Sequence, residues 1–217
     1  MKYVAALAVT VFAFLLGLYA GPSVKARFEA VPATTVCRPS SPEKLGDQPA
    51  VLFWGNSLAF DGDWPLDGFV SVNCGVQGLT AQAAVELTPS LPDLDFAAVV
   101  IIFGTVELIR GAESPEIFRA SVNDVLDQLG QKYPKAKFVA LGVPRRTATN
   151  IWRYENERHL DVVNDILRQM NDVIFIDSTE ILEDLTAGSE TYDGVHFSRQ
   201  SYFLLAQKVQ KTLDQLD

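Results

Sequence analysis

Val51-Leu52-Phe53-Trp54-Gly55-Asn56-Ser57-Leu58 is the stretch on which the reading of the fold turns. A short apolar run that stops at glycine reads as a buried strand feeding a tight turn. A serine follows two residues later. Two readings of Ser57 fit the segment. It caps the helix that comes next, or it stands at the carboxyl edge of a sheet, where open α/β folds place ligands. The rest of the chain has to separate them.

Working outward, apolar strand-like runs recur at 50–54, 69–73, 98–103, 137–142 and 172–176. Helix-like periodic segments lie between and after them, at about 79–88, 115–133, 155–170 and 199–215. In 155–170, Leu160, Val163, Ile166, Leu167 and Met170 form one apolar stripe. In 199–215 the stripe reads Phe203, Leu204, Ala206, Val209 and Leu213. Ser114-Pro115-Glu116 and Ser198 look like helix starts. Strands alternating with helices predict βαβ units and a parallel sheet covered on both faces, a three-layer α/β/α sandwich of about five strands. In such a sheet the strand ends converge on one edge. That edge collects Gly55-Asn56-Ser57, Asn73-Cys74-Gly75-Val76-Gln77-Gly78, Gly104-Thr105-Val106-Glu107 and Val143-Pro144-Arg145-Arg146. Tyr192-Asp193-Gly194-Val195-His196-Phe197-Ser198 leads into the last helix.

The 217 residues, 48% of them hydrophobic, suffice for one well-cored domain. That domain is expected over 50–217, behind a Pro-rich tether over 22–49 and an apolar N-terminal segment over 1–21. From Cys37 onward the chain carries 15 basic and 26 acidic side chains, a net −11. Such acidity argues against a nucleic-acid partner. From Tyr3 to Ala20, behind Lys2, no charge occurs. That is roughly enough to span a bilayer, so a membrane anchor with the domain outside the cytoplasm, periplasmic or extracellular, is expected. A signal peptide cleaved near Val24-Lys25-Ala26, giving a secreted protein, is the alternative. The chain has 2 cysteines and 2 histidines, too few for a zinc site, so no metal and no cofactor is expected. In an exported protein Cys37 and Cys74 could form a disulfide; two buried thiols are the other reading.

A serine is a weak nucleophile at neutral pH and needs a neighbouring base. His159 lies in a charged helical segment, Glu155-Asn156-Glu157-Arg158-His159, and reads as a solvated surface side chain. His196 sits in the loop before the last helix with Asp193 three residues earlier. A carboxylate at that spacing could hold the imidazole in its productive tautomer. A capping loop that happens to contain both residues is the competing reading.

These residues carry a resemblance. Gly55-Asn56-Ser57-Leu58 resembles the G-D-S-L block of the SGNH (GDSL-type) hydrolases. Asn73 through Gly78 is similar to that family's second block, N-x-x-x-x-G, and Gly104-Thr105-Val106-Glu107 stands where its third, G-x-N-D or G-T-N-E, should be. Asp193 to His196 matches the closing D-x-x-H. The resemblance runs from about residue 50 to the C-terminus. It implies a flavodoxin-like SGNH hydrolase fold and a serine ester hydrolase. Ser57 would be the nucleophile, His196 the base and Asp193 its orienting partner. The backbone N–H groups of Ser57 and Gly78 would form the oxyanion hole.

Two positions depart from the pattern. Asn56 replaces the usual aspartate of the first block. Val106 occupies the place of the asparagine that supplies the third oxyanion donor, and valine has no hydrogen to donate. Losing one such donor typically costs roughly 10²–10³ in rate. The Asn56 amide and the Thr105 hydroxyl are candidate replacements, and an arginine of Arg145-Arg146 could meet an anionic part of a substrate. The expected activity is an exported acyl- or acetylesterase acting on a small-molecule, glycan or lipid ester. The alternatives are an O-acyltransferase using the same triad, or a degenerate envelope binding domain.

Overall fold

Successive residues of β2 (Ala50–Gly55) face opposite sides of the sheet. Ala50, Leu52 and Trp54 enter one core cluster, and Val51 and Phe53 enter another. A strand buried on both faces must be apolar throughout, which is why this one reads as a continuous run rather than an alternation. In the computed structural model, residues 37–110, 114–144, 157–186 and 188–216 are described, with backbone only at 108–110 and 157–159.

β2 is central in a six-stranded sheet of order β1-β3-β2-β4-β5-β6. The other strands are β1 (Arg38–Pro39), β3 (Val70–Asn73), β4 (Phe96–Ile102), β5 (Lys137–Leu141) and β6 (Val173–Ile176). All neighbours pair in parallel except β1, which runs antiparallel to β3. One face is covered by α2 (Ala81–Leu87), α4 (Pro115–Lys132) and α5 (Glu157–Arg168). The opposite face carries α1 (Ser57–Phe60), α6 (Ser178–Leu182) and α7 (Arg199–Leu213). The three-layer α/β/α reading therefore holds, and each layer is locked by a core of its own. A fully buried Leu, Ile or Phe in either core contributes about 1.5–3 kcal/mol.

Three expectations need correction. The sheet has six strands rather than about five, because the end of the expected tether adds β1 to its edge. A disulfide between Cys37 and Cys74 pins that edge strand to the loop leaving β3. The inward stripe of α7 runs through Tyr202, Leu205, Ala206, Val209 and Leu213, while Phe203 is turned outward and is 52% exposed. Thr105 and Val106 do not end a strand; they open a further helix, α3 (Thr105–Arg110). On α5, Leu160, Val163, Ile166, Leu167 and Met170 are all buried, as the periodicity predicts. Among the described residues no helix is long and apolar enough to cross a membrane. The apolar segment 1–21, tether residues 22–36 and the Arg145-Arg146 loop lie outside the described residues.

Candidate active site

Ser57 reaches the sheet edge through a turn that only glycine permits. A Cβ on Gly55 would lie 2.1 Å from the Ile102 carbonyl oxygen of the neighbouring strand. This contact lets the chain turn flush against β4 and start α1 at once. Asn56 caps the helix, its Oδ1 accepting from the Leu58 N–H at 2.9 Å. The cap is thus made by the residue before Ser57, and the serine hydroxyl is left free of it at the edge. Ser57 is 8% exposed, and its Oγ lies 3.0 Å from His196 Nε2.

The spacing of Asp193 and His196 has a local cause. One carboxylate oxygen, Oδ1, accepts from the backbone N–H groups of Val195 at 2.8 Å and His196 at 2.7 Å. That turn leaves Oδ2 facing the ring, 2.6 Å from Nδ1. A carboxylate only accepts, so Nδ1 carries the proton and Nε2 presents its lone pair to Ser57. Burial works against the charged form of Asp193. The hydrogen bonds from the His196 ring and from the His196 and Val195 N–H groups, with the imidazole's charge, outweigh it and hold the carboxyl below its ordinary range. The loop is held at both ends. Tyr192 N–H donates to the His196 carbonyl at 3.1 Å, Ser198 N–H to that of Glu190 at 2.9 Å, and Phe197 is buried beneath. Ser198 then caps α7.

The two remaining blocks are joined by a residue whose role the sequence does not disclose. Buried Glu107 accepts from the Gly104 N–H at 3.0 Å through Oε2 and from the Ala81 N–H at 2.6 Å through Oε1. It ties the turn after β4 to the start of α2, and so fixes the loop that contains Gly78. Gly78 has φ +70°, a conformation glycine adopts without penalty. Asn73, at the head of the same loop, donates to the carbonyls of Ala59, Phe60 and Gly62 and accepts from the Gly75 N–H. That side chain stitches the second block to the end of α1.

Val106 is 7% exposed at the third-donor position and offers no hydrogen bond. The Asn56 Nδ2 and the Thr105 Oγ1 are buried without a hydrogen-bond partner among the described residues. His159 belongs to α5, and its side chain lies outside the described residues. Two further neighbours of the site come from the structure alone. An Asp61 oxygen lies 3.8 Å from His196 Nε2, and the Tyr192 ring stacks on the imidazole with centroids 5.7 Å apart. Desolvation, the charges of Asp61 and Asp193 and a hydrogen bond to Asp61 raise the Tyr192 phenol above its ordinary range. It remains a neutral donor at working pH.

A family model described as GDSL-like Lipase/Acylhydrolase matches residues 51–209. No curated protein matches the chain in sequence. Among solved structures, the chain is similar to a GDSL-like lipase from Bacteroides thetaiotaomicron VPI-5482. The identity is 16%, the TM-score 0.59, and 80% of this chain and 91% of that chain are covered. It is also similar to the M. smegmatis aryl esterase, at 18% identity, TM-score 0.57 and coverage of 78% and 100%. A third likeness is to Axe2, an acetylxylan esterase from Geobacillus stearothermophilus, at 15% identity, TM-score 0.54 and coverage of 78% and 94%. At such identities these structures share the fold.

Proposed function

Since this chain belongs to the GDSL-like lipase/acylhydrolase family, we propose that it is a serine esterase in which Ser57 is the nucleophile, His196 the general base and Asp193 the orienting acid. The observation that carries the reading is the relay from Ser57 Oγ to His196 Nε2 at 3.0 Å and from Nδ1 to Asp193 at 2.6 Å. Ser57 Oγ attacks the ester carbonyl while its proton passes to Nε2, and Asp193 stabilises the imidazolium. Collapse of the tetrahedral intermediate breaks the acyl–oxygen bond, and Nε2 returns the proton to the departing alcohol. Water then attacks the acyl-enzyme, its proton passing to Nε2 and on to Ser57 as the acid leaves.

The Ser57 and Gly78 backbone N–H groups are the oxyanion donors in this reading. Val106 leaves them without the side-chain donor usual at its position, so turnover is slower than with three donors. Turnover of p-nitrophenyl acetate by the full-length chain between pH 6 and 9 tests the proposal. Rates no higher than those of Ser57→Ala would refute it for simple esters.

The uncharged stretch from Tyr3 to Ala20 supports export of the domain, with that stretch as an anchor or a cleaved signal. Cell fractionation with N-terminal sequencing tests this; intact chain confined to the cytoplasm would contradict it.

A further inference from the structure

A cleft of about 860 Å³ lies beside the triad. It falls within the range of small-ligand sites, roughly 300–1,000 Å³. Asp61 and Tyr192, the two side chains beside the His196 ring, are among its lining residues. Asp63, Arg38, Arg199 and Phe203 also line it. Arg38 belongs to β1, outside the segment 51–209 that the family model matches. The Cys37–Cys74 bridge ties this wall to the loop leaving β3. The Arg38 guanidinium is fixed in place, donating to the Phe60 carbonyl and lying 4.3 Å over the centre of the Phe60 ring.

Two observations define what such a cleft can take. Four large apolar side chains are notably exposed among the described residues, and the two aromatic ones, Tyr192 at 67% and Phe203 at 52%, both line this cleft. Exposed aromatic faces are electron-rich surfaces suited to the C–H face of a flat, amphipathic ligand. The same cleft is lined by two carboxylates, Asp61 and Asp63, and two guanidinium groups, Arg38 and Arg199, with no net charge among the four. Carboxylates only accept hydrogen bonds and guanidinium groups only donate them. A hydroxyl both donates and accepts, so a ligand rich in hydroxyls can meet both kinds at once. An acyl chain offers these four groups neither a donor nor an acceptor.

Position supplies the role. The departing oxygen must take its proton from His196 Nε2, so the alcohol half of the ester lies on the side where Asp61 stands 3.8 Å from that nitrogen and the cleft opens. We propose that this cleft is the subsite for the leaving alcohol, and that the alcohol is a carbohydrate, held by its hydroxyls and stacked on Tyr192 and Phe203. The assignment of the alcohol half rests on the esterase reading above; the capacity of the cleft to bind saccharide does not.

The test is calorimetric titration of the full-length chain with xylotetraose, chitotetraose and maltotetraose. At least one should bind in the millimolar range or tighter. Phe203→Ala and Arg199→Ala should each weaken that binding about 10-fold or more, whereas Val162→Ala, on the other face of the sheet, should leave it unchanged. No binding of any of the three at about 10 mM overturns the proposal, as does binding that both cleft variants leave intact. Tighter binding of a soluble short-chain diacylglycerol than of every saccharide also overturns it. Saccharide binding needs no reactive serine. Binding without covalent reaction at Ser57 would therefore keep the carbohydrate site and remove the esterase reading, and reaction without binding would do the reverse.

Discussion

Removing the Cys37–Cys74 bridge should lower stability by an amount set by the loop it closes. The two cysteines are 37 residues apart. Closing a loop of that size removes about 4 kcal/mol of chain entropy from the unfolded state, by the usual dependence on the logarithm of loop length. For a domain of this size about 4 kcal/mol corresponds to roughly 8–16 °C in Tm. The double variant Cys37→Ala/Cys74→Ala should show the loss in urea unfolding, read by fluorescence of the buried tryptophans Trp54 and Trp64. Each single variant should lose nearly as much as the double, because either substitution breaks the same bond. Cys74 also sits beside Asn73, whose amide holds the end of α1. Esterase activity should therefore fall with stability, the double variant losing activity at lower urea than the parent chain. A loss below about 1 kcal/mol, or two alkylatable thiols in the native chain, would refute the reasoning.

Asp193→Asn should reduce kcat by about 10⁴, since an amide can orient the ring with the wrong nitrogen protonated; steady-state kinetics would show it. The same position sets a pH dependence. The folded-state carboxyl lies below its ordinary value, so its stabilising contribution is complete above the unfolded carboxylate pKa near 4 and is lost as pH falls through the lowered folded value. Tm measured from pH 2 to 6 should thus fall more steeply with acid in the parent than in Asp193→Asn. Val106→Asn should raise kcat by about 10²–10³ if it restores a third oxyanion donor; an unchanged rate would mean that another group already fills the place.

The legible parts of the fold are those where one physical requirement repeats along the chain. β2 and β4 are buried on both faces, so every residue had to be apolar and the runs stand out. α5 packs one face on the sheet, so its stripe is periodic. β1 has two residues, one of them proline, and both its partner strand and the cysteine bridged to its neighbour lie far along the chain. No local pattern marks it. Phe203 shows the limit of periodicity, since an apolar residue one position off the stripe of α7 looks like a member of it. Ser57, Asp193 and His196 were recognisable because strand ends must converge in a parallel sheet, because the histidines are so few, and because their blocks resemble those of the SGNH hydrolases. Asp61 and Glu107 were not, because their partners are brought near by topology alone. Asp61 meets a ring whose residue lies far away in sequence, and Glu107 joins two loops from different strands.

The central claim is that His196 activates Ser57. Labelling the full-length chain with a fluorophosphonate probe, followed by peptide mass spectrometry, tests it most directly. The expected result is a single adduct on Ser57 that disappears in His196→Ala. No adduct, or one that persists without His196, would contradict the claim.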